Sequence, residues 1–257
     1  MCLLFFSYKK TPGYRLVVAA NRDEFLSRPT SVLDFLDEEK TILAGRDLQG
    51  GGTWLGITDQ LKFAAITNYR EPGATRADAP SRGEILLNYL AGDVDAGQYL
   101  SSLFADAGRY NGFNLILGDK ENLHYYSNRS FGPQQLAPGF YGLSNNLLDV
   151  PWPKLARGKK LLRPYMVEKD RIDSLPIFKQ LEDQNRPPDN QLPDTGVGLD
   201  WEQLLSTIHI EGADYGTRSS AVITVTNEGR IEFTEKTFKR SSTKDITSQV
   251  AHYCMNV

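Results

Sequence analysis

Cys2 stands directly behind Met1 and is small enough to leave that methionine removable. Removal would put a thiol and a free α-amine on one residue. A thiolate is a strong nucleophile, and a terminal amine titrating near neutrality can serve as its base, so no separate His or Lys is required. The chemistry would be acyl transfer from an amide through a thioester. A small Cys in an N-terminal strand equally fills a core without reacting, so the rest of the chain has to decide.

Polar clusters interrupt the apolar runs where such chemistry would need them. Asn21–Arg22–Asp23–Glu24 follows the run 14–21. If the runs 2–8 and 14–21 form a hairpin, Cys2 lies beside Asn21 to Asp23. Asp23 can then hold a terminal ammonium, and Arg22 can favour a thiolate. The same four residues also suit an exposed polar turn. Asn68 closes the run 61–68, where its amide can donate to an oxyanion or merely end a strand. Ser144–Asn145–Asn146 follows a short run over 139–144, and Asn145 or Asn146 can supply a second amide or make a turn. Arg218, within Thr217–Arg218–Ser219–Ser220, can clamp a carboxylate or lie on the surface. Trp54, after Gly50–Gly51–Gly52, suits either a pocket wall or a core. The catalytic candidates are Cys2, Arg22, Asp23, Asn68 and Asn145, and the substrate-binding candidates are Asn21, Trp54, Asn146 and Arg218.

The elements that must position these residues follow from periodicity and turn signals. Runs 2–8 and 14–21 flank Pro12–Gly13, a hairpin signal, and residues 21–30 read as a polar loop. Short strands are expected over 41–44 and 53–57, then 61–68 after an Asp59–Gln60 turn. Residues 69–80 read as an exposed loop. Ser81 and Glu84 have capping-box spacing and open a helix with Ile85, Leu86, Tyr89 and Leu90 on one face. A second helix spans 96–107. Runs 113–117 and 123–127 make a hairpin. Helices follow over 153–168, 174–183 and 201–208, with a Pro- and Asp-rich surface segment over 184–198. Runs 219–226 and 230–238 make a closing hairpin. Tight turns between strands and helices in blocks predict an α+β fold of largely antiparallel sheets, with helices outside two packed sheets, in one domain over 1–257.

Composition narrows the function classes. The 257 residues carry a net charge of −3 with 40% hydrophobic residues, and Lys and Arg are scattered, which excludes a basic track for nucleic acid. No apolar run is long enough to span a bilayer, and the first residues lack the pattern of a secretory signal, so a cytoplasmic location is expected. Two cysteines, Cys2 and Cys254, make no disulfide framework, and three scattered histidines give no metal-ligand spacing. No metal or cofactor is expected.

Met1–Cys2, Asn21–Arg22–Asp23–Glu24, Gly51–Gly52–Thr53–Trp54–Leu55–Gly56, Thr67–Asn68–Tyr69–Arg70 and Thr217–Arg218–Ser219–Ser220 closely resemble the motifs of the NRDE family, that of the transport and Golgi organisation protein 2. The resemblance runs through nearly the whole chain with the motifs in order. It implies a fold of N-terminal-nucleophile type, a four-layer αββα sandwich. More distantly, the chain is similar to choloylglycine hydrolases and penicillin V acylases, which also begin Met-Cys and cleave amides. That similarity implies that Asp23 matches the acid holding the terminal amine and that Asn68 matches the oxyanion Asn, with Asn145 or Asn146 as a second amide. The Arg of their pattern falls on Ala20, and Arg22, two residues on and on the same strand face, is the residue that would replace it. The similarity also implies Arg218 as the counterpart of a late Arg in those enzymes, although the residues around it match poorly.

The expected function is an N-terminal cysteine hydrolase acting on a non-peptide carbon–nitrogen bond of a small molecule. The alternative is a non-catalytic protein of the same fold that binds or traffics haem or an acyl lipid. Either partner is a small molecule.

Overall fold

The computed structural model describes residues 2–240 and 246–256, and the side chains of Cys2 and Arg240 lie outside that description. The chain divides into two compact units. The first comprises residues up to Ser27, Pro138–Leu143 and Asp149–Asn256, and the second comprises Arg28–Ala137 and Ser144–Leu148.

The first unit is built on a six-stranded antiparallel sheet. Its strands are β1 (Cys2–Thr11), β2 (Tyr14–Phe25), β10 (Gly139–Leu143), β11 (Tyr215–Thr226), β12 (Arg230–Arg240) and β13 (Ile246–Asn256), in the order β10-β1-β2-β11-β12-β13. The Pro12–Gly13 turn joins β1 to β2 as its sequence predicts. The polar loop expected over 21–30 is instead largely strand. β2 continues to Phe25 because β11 pairs with it along its length, through Asn21↔Ser220 and Phe25↔Tyr215. Asn21 and Arg22 have a paired strand on each side, Asp23 pairs with Thr217 of β11, and all three side chains are buried. β13 carries no clear apolar alternation, because most of its first half is exposed, and periodicity alone does not reveal it.

Alternation along β1, β2 and β11 aims Leu3, Phe5, Val17, Ala19 and Val222 to one side. There they pack with Leu155, Leu162 and Met166 of α3 (Pro153–Met166) and with Ile177, Phe178 and Leu181 of α4 (Ser174–Leu181). Each such large side chain, fully buried, contributes about 1.5–3 kcal/mol. Pro153 starts α3 at a position where a missing N–H costs nothing. Asp173 caps α4 by accepting from Leu175 N at 3.0 Å.

The second unit is a seven-stranded antiparallel meander. Its strands are β3 (Thr30–Phe35), β4 (Ile42–Asp47), β5 (Leu55–Thr58), β6 (Phe63–Asn68), β7 (Phe113–Gly118), β8 (Leu123–Ser127) and β9 (Gln134–Gln135), paired in that order. The helices α1 (Gly83–Ala91) and α2 (Ala96–Asp106) pack Ile85, Leu86, Tyr89, Leu90 and Leu100 against Leu115, Leu117 and Tyr126. The expected capping box at Ser81 and Glu84 does not form. Arg82 occupies the N-cap with no side-chain cap bond, and the Glu84 carboxylate instead accepts the Tyr110 hydroxyl at 2.9 Å. The start of α1 is fixed by backbone approach: a Cβ on Gly52 would collide with the Gly83 backbone, and Thr53 N donates to Gly83 O at 3.3 Å. Among the described residues, no helix is long and apolar enough to cross a membrane.

Candidate active site

In the first unit, the register of β1 on β2 sets Cys2 opposite Arg22, so Asp23 comes one residue beyond the partner of Cys2. The reading of the Cys2 thiol and of Met1 lies outside the described residues. The carboxylate of Asp23 is 1% exposed. Its Oδ1 accepts the Thr217 hydroxyl at 2.7 Å, and its backbone oxygen accepts the Tyr215 hydroxyl at 2.9 Å. Burial pushes the Asp23 carboxyl above its ordinary value, while Lys154, the terminal ammonium and Thr217 pull the other way. Lys154, buried in the first turn of α3, escapes sequence reading. A lysine after the helix-opening Pro153 looks like a surface residue until α3 is docked on the sheet.

The neighbours of Asp23 on β2 divide by strand alternation. Asn21 shares its face and is wholly engaged in the fold. Its Nδ2 donates to Leu181 O at 2.8 Å and Ile208 O at 2.9 Å, and its Oδ1 accepts the Ser220 hydroxyl at 2.6 Å. Arg22 points to the opposite face, across from Ser219. Arg218 sits where the β11 register shifts between Thr217 and Ser219, and its guanidinium donates to Phe25 O at 2.9 Å and Leu26 O at 3.1 Å. Burial, then the charge of Arg22, lowers the Arg218 pKa. Arg218 therefore binds the end of β2 directly.

The second unit gathers the amides. Segment 144–148 lies along β6 and β7: Thr67 donates to Ser144 O at 2.6 Å, Arg70 N to Asn145 O at 2.7 Å, and Asn114 Nδ2 to Asn146 O at 3.0 Å. Asn145 is buried, and its Nδ2 donates to Asn68 O at 2.9 Å. The side-chain oxygen of Asn146 accepts from Leu147 N at 2.7 Å, which closes a local turn. Asn68 differs from both. It is half-buried, and among the described residues its side-chain amide has no hydrogen-bond partner. An amide at a strand end, braced by a neighbour and uncommitted itself, can donate to a ligand.

Asn114 and Tyr125 support this cluster and were not among the sequence candidates. The Asn114 amide donates to Thr67 Oγ1 at 3.1 Å, and Tyr125 donates its hydroxyl to Asn114 Oδ1 at 2.9 Å. Burial pushes the Tyr125 hydroxyl up to about 12, so it stays a donor at any physiological pH. Trp54 packs over Gly45, whose missing side chain leaves room for the indole, beside the helix-covered core of this unit. The sequence candidates thus fall into two groups. Cys2, Asn21, Arg22, Asp23 and Arg218 belong to the first unit, and Trp54, Asn68, Asn145 and Asn146 belong to the second.

Known proteins match both the sequence and the fold. A family model described as Transport and Golgi organisation 2 matches residues 1–240. The Transport and Golgi organization 2 homolog of Mus musculus is 37% identical over 256 residues, covering 92% of each chain. The homolog of Homo sapiens is 38% identical over 259 residues, again covering 92% of each. Among solved structures, a Caenorhabditis elegans N-acylethanolamine-hydrolyzing acid amidase ortholog matches with a TM-score of 0.50 at 11% identity, covering 86% of this chain and 92% of that one. The fold is thus α+β with two antiparallel sheets, and it is like that of the amidase ortholog. From the family match and the mammalian relatives together, this chain belongs to the Transport and Golgi organisation 2 family.

Proposed function

We propose that the protein is an N-terminal cysteine amidohydrolase acting on the carbon–nitrogen bond of a small acyl amide in the cytoplasm. The observation that carries this reading is the placement of Arg22 and Asp23. Two ionisable side chains are buried on an interior strand at the register of the chain's first residues. Burying such groups is costly, and a purely structural polar turn would leave them in water. Once Met1 is removed, the Cys2 sulfur attacks the acyl carbon. The Cys2 amine takes the thiol proton and delivers it to the leaving amine, and water then cleaves the thioester. Asp23 orients the amine, and Arg22 favours the thiolate. Asn68 is the candidate oxyanion donor, and Asn145 braces it. The amidase of like fold acts, by its name, on N-acylethanolamines, which makes acyl amides the first class to assay.

The test combines intact mass with turnover. Purified active protein should lack Met1, a panel of acyl amides including N-acylethanolamines should contain a substrate, and Cys2→Ala should abolish its hydrolysis. Retention of Met1 in turning-over protein, or full activity of Cys2→Ala, would overturn the mechanism. Processed protein that binds an acyl amide without cleaving it would favour a carrier instead.

A further inference from the structure

The second cysteine sits in a setting that the N-terminal mechanism does not use. β13 pairs with β12 so that Thr234 lies opposite His252 and Glu232 opposite Cys254. These four side chains therefore share one face of the sheet. Cys254 Sγ lies 3.2 Å from His252 Nε2, and His252 Nδ1 lies 2.8 Å from Thr234 Oγ1. If the ring donates its Nδ1–H to the Thr234 hydroxyl, Nε2 is left as an acceptor aimed at the thiol, and the threonine fixes the tautomer. Arg230 pairs with Glu232 at 2.7 Å, and Cys254 is among the groups that raise the Arg230 pKa. The thiol thus has a base on one side and a guanidinium on the other, and both Cys254 and His252 are exposed.

A cavity of about 520 Å³ opens beside this cluster. Val222, Thr224, Glu232, Thr234 and His252 line it from the sheet, and Arg171 to Ser174 line it from the segment entering α4. Among the described residues, Arg171 has no ion-pair partner, so its guanidinium is available to an anionic group in the cavity. Glu232 in the same lining, although paired with Arg230, adds a negative charge that suits a ligand also carrying an ammonium. His252 and Cys254 lie beyond residue 240, where the family match ends.

We propose that Cys254, His252 and Thr234 form a thiol-exchange site, at which Cys254 makes a mixed disulfide with a small zwitterionic disulfide seated in this cavity. His252 Nε2 takes the proton of the Cys254 thiol. The resulting thiolate attacks one sulfur of the incoming disulfide, a new S–S bond forms to Cys254, and the original S–S bond breaks. The Cys254 sulfur is oxidised, the departing sulfur is reduced to a thiolate, and the imidazolium returns the proton to it. The incoming disulfide is the oxidant. The site is independent of any role of Cys2.

The test uses the full, reduced chain with oxidised glutathione as the probe, followed by peptide mass mapping. The expected result is one glutathionyl adduct on Cys254, formed at a rate that saturates with probe concentration. His252→Ala and His252→Gln should each slow adduct formation about tenfold, since an unassisted thiol is only a few per cent ionised at neutral pH. Thr234→Val should slow it less, and Arg171→Ala should raise the half-saturating probe concentration without changing the limiting rate. Circular dichroism should show each variant folded. An adduct on Cys2 with Cys254 left free, no adduct at all, or equal rates in the His252 variants and the native protein would overturn the proposal.

Discussion

Thr217 donates its hydroxyl to Asp23 at 2.7 Å while accepting from Ile210 N at 2.9 Å, so one threonine couples a buried carboxylate to the chain that precedes β11. Burial, the largest influence, raises the Asp23 carboxyl above its ordinary value of 3.8. The folded protein therefore keeps that proton to higher pH than the unfolded chain does. The stabilisation this gives is complete below 3.8 and is lost as pH rises through the folded value. Asp23→Asn keeps an acceptor for Thr217 and removes the loss. Its melting temperature relative to native should climb from acid to neutral pH, while amide turnover disappears. A gap that stays constant with pH would rule out the buried charge as its cause.

Asn21 is expected to serve stability and not substrate binding. Asn21→Ala removes donors from two backbone carbonyls and the acceptor of the Ser220 hydroxyl. Urea unfolding should show a loss of about 2–4 kcal/mol. An unchanged midpoint would mean that water replaces the amide at no cost.

Asn68 and Asn145 should separate cleanly. Asn68→Ala removes an uncommitted amide, so stability should stay within about 0.5 kcal/mol of native. Hydrolysis should nevertheless fall on the order of a hundredfold in kcat. Asn145→Ala strips the buried donor from Asn68 O and should cost about 1–3 kcal/mol. Equal thermal shifts for the two variants would contradict this division.

Gly52→Ala should destabilise the second unit by about 1–3 kcal/mol, because the new methyl meets the Gly83 backbone and α1 must move. Gly51→Ala meets no neighbour but must adopt a φ of +73°, so it should cost about 1 kcal/mol through backbone strain alone. Denaturant midpoints of the two variants check the order.

The apolar strand runs and the apolar face of α1 were legible in the sequence because burial leaves contiguous apolar residues on interior strands and a helical period on α1. The path of β2 past Asn21 was not. Polar residues there look like solvent-facing turn, and only the pairing partner β11, some two hundred residues away in the chain, makes them interior. Glu84 misled for the opposite reason: its spacing from Ser81 satisfies a local rule, yet Tyr110 claims its carboxylate. The sequence singles out Asp23 and Asn68 as candidates because polar residues there follow or close apolar runs. Lys154, Asn114 and Tyr125 act through contacts between distant segments and no local pattern marks them, while Thr217 lies in a visible motif whose contact with Asp23 is not visible. β13 was overlooked because an outer strand wet along most of its length leaves little hydrophobic trace.

The Pro12–Gly13 turn works as a vernier for the whole first unit. Neighbouring β2 side chains alternate sides, so gaining or losing a single residue in that turn would exchange the guanidinium abreast of Cys2 for a carboxylate or an amide. Changes of two residues keep every side chain on its own face, although they set Ala20 or Glu24 in place of Arg22 opposite Cys2. Length variation in this connection should therefore be tolerated in even steps and poorly in odd ones, whatever the turn's own residues are.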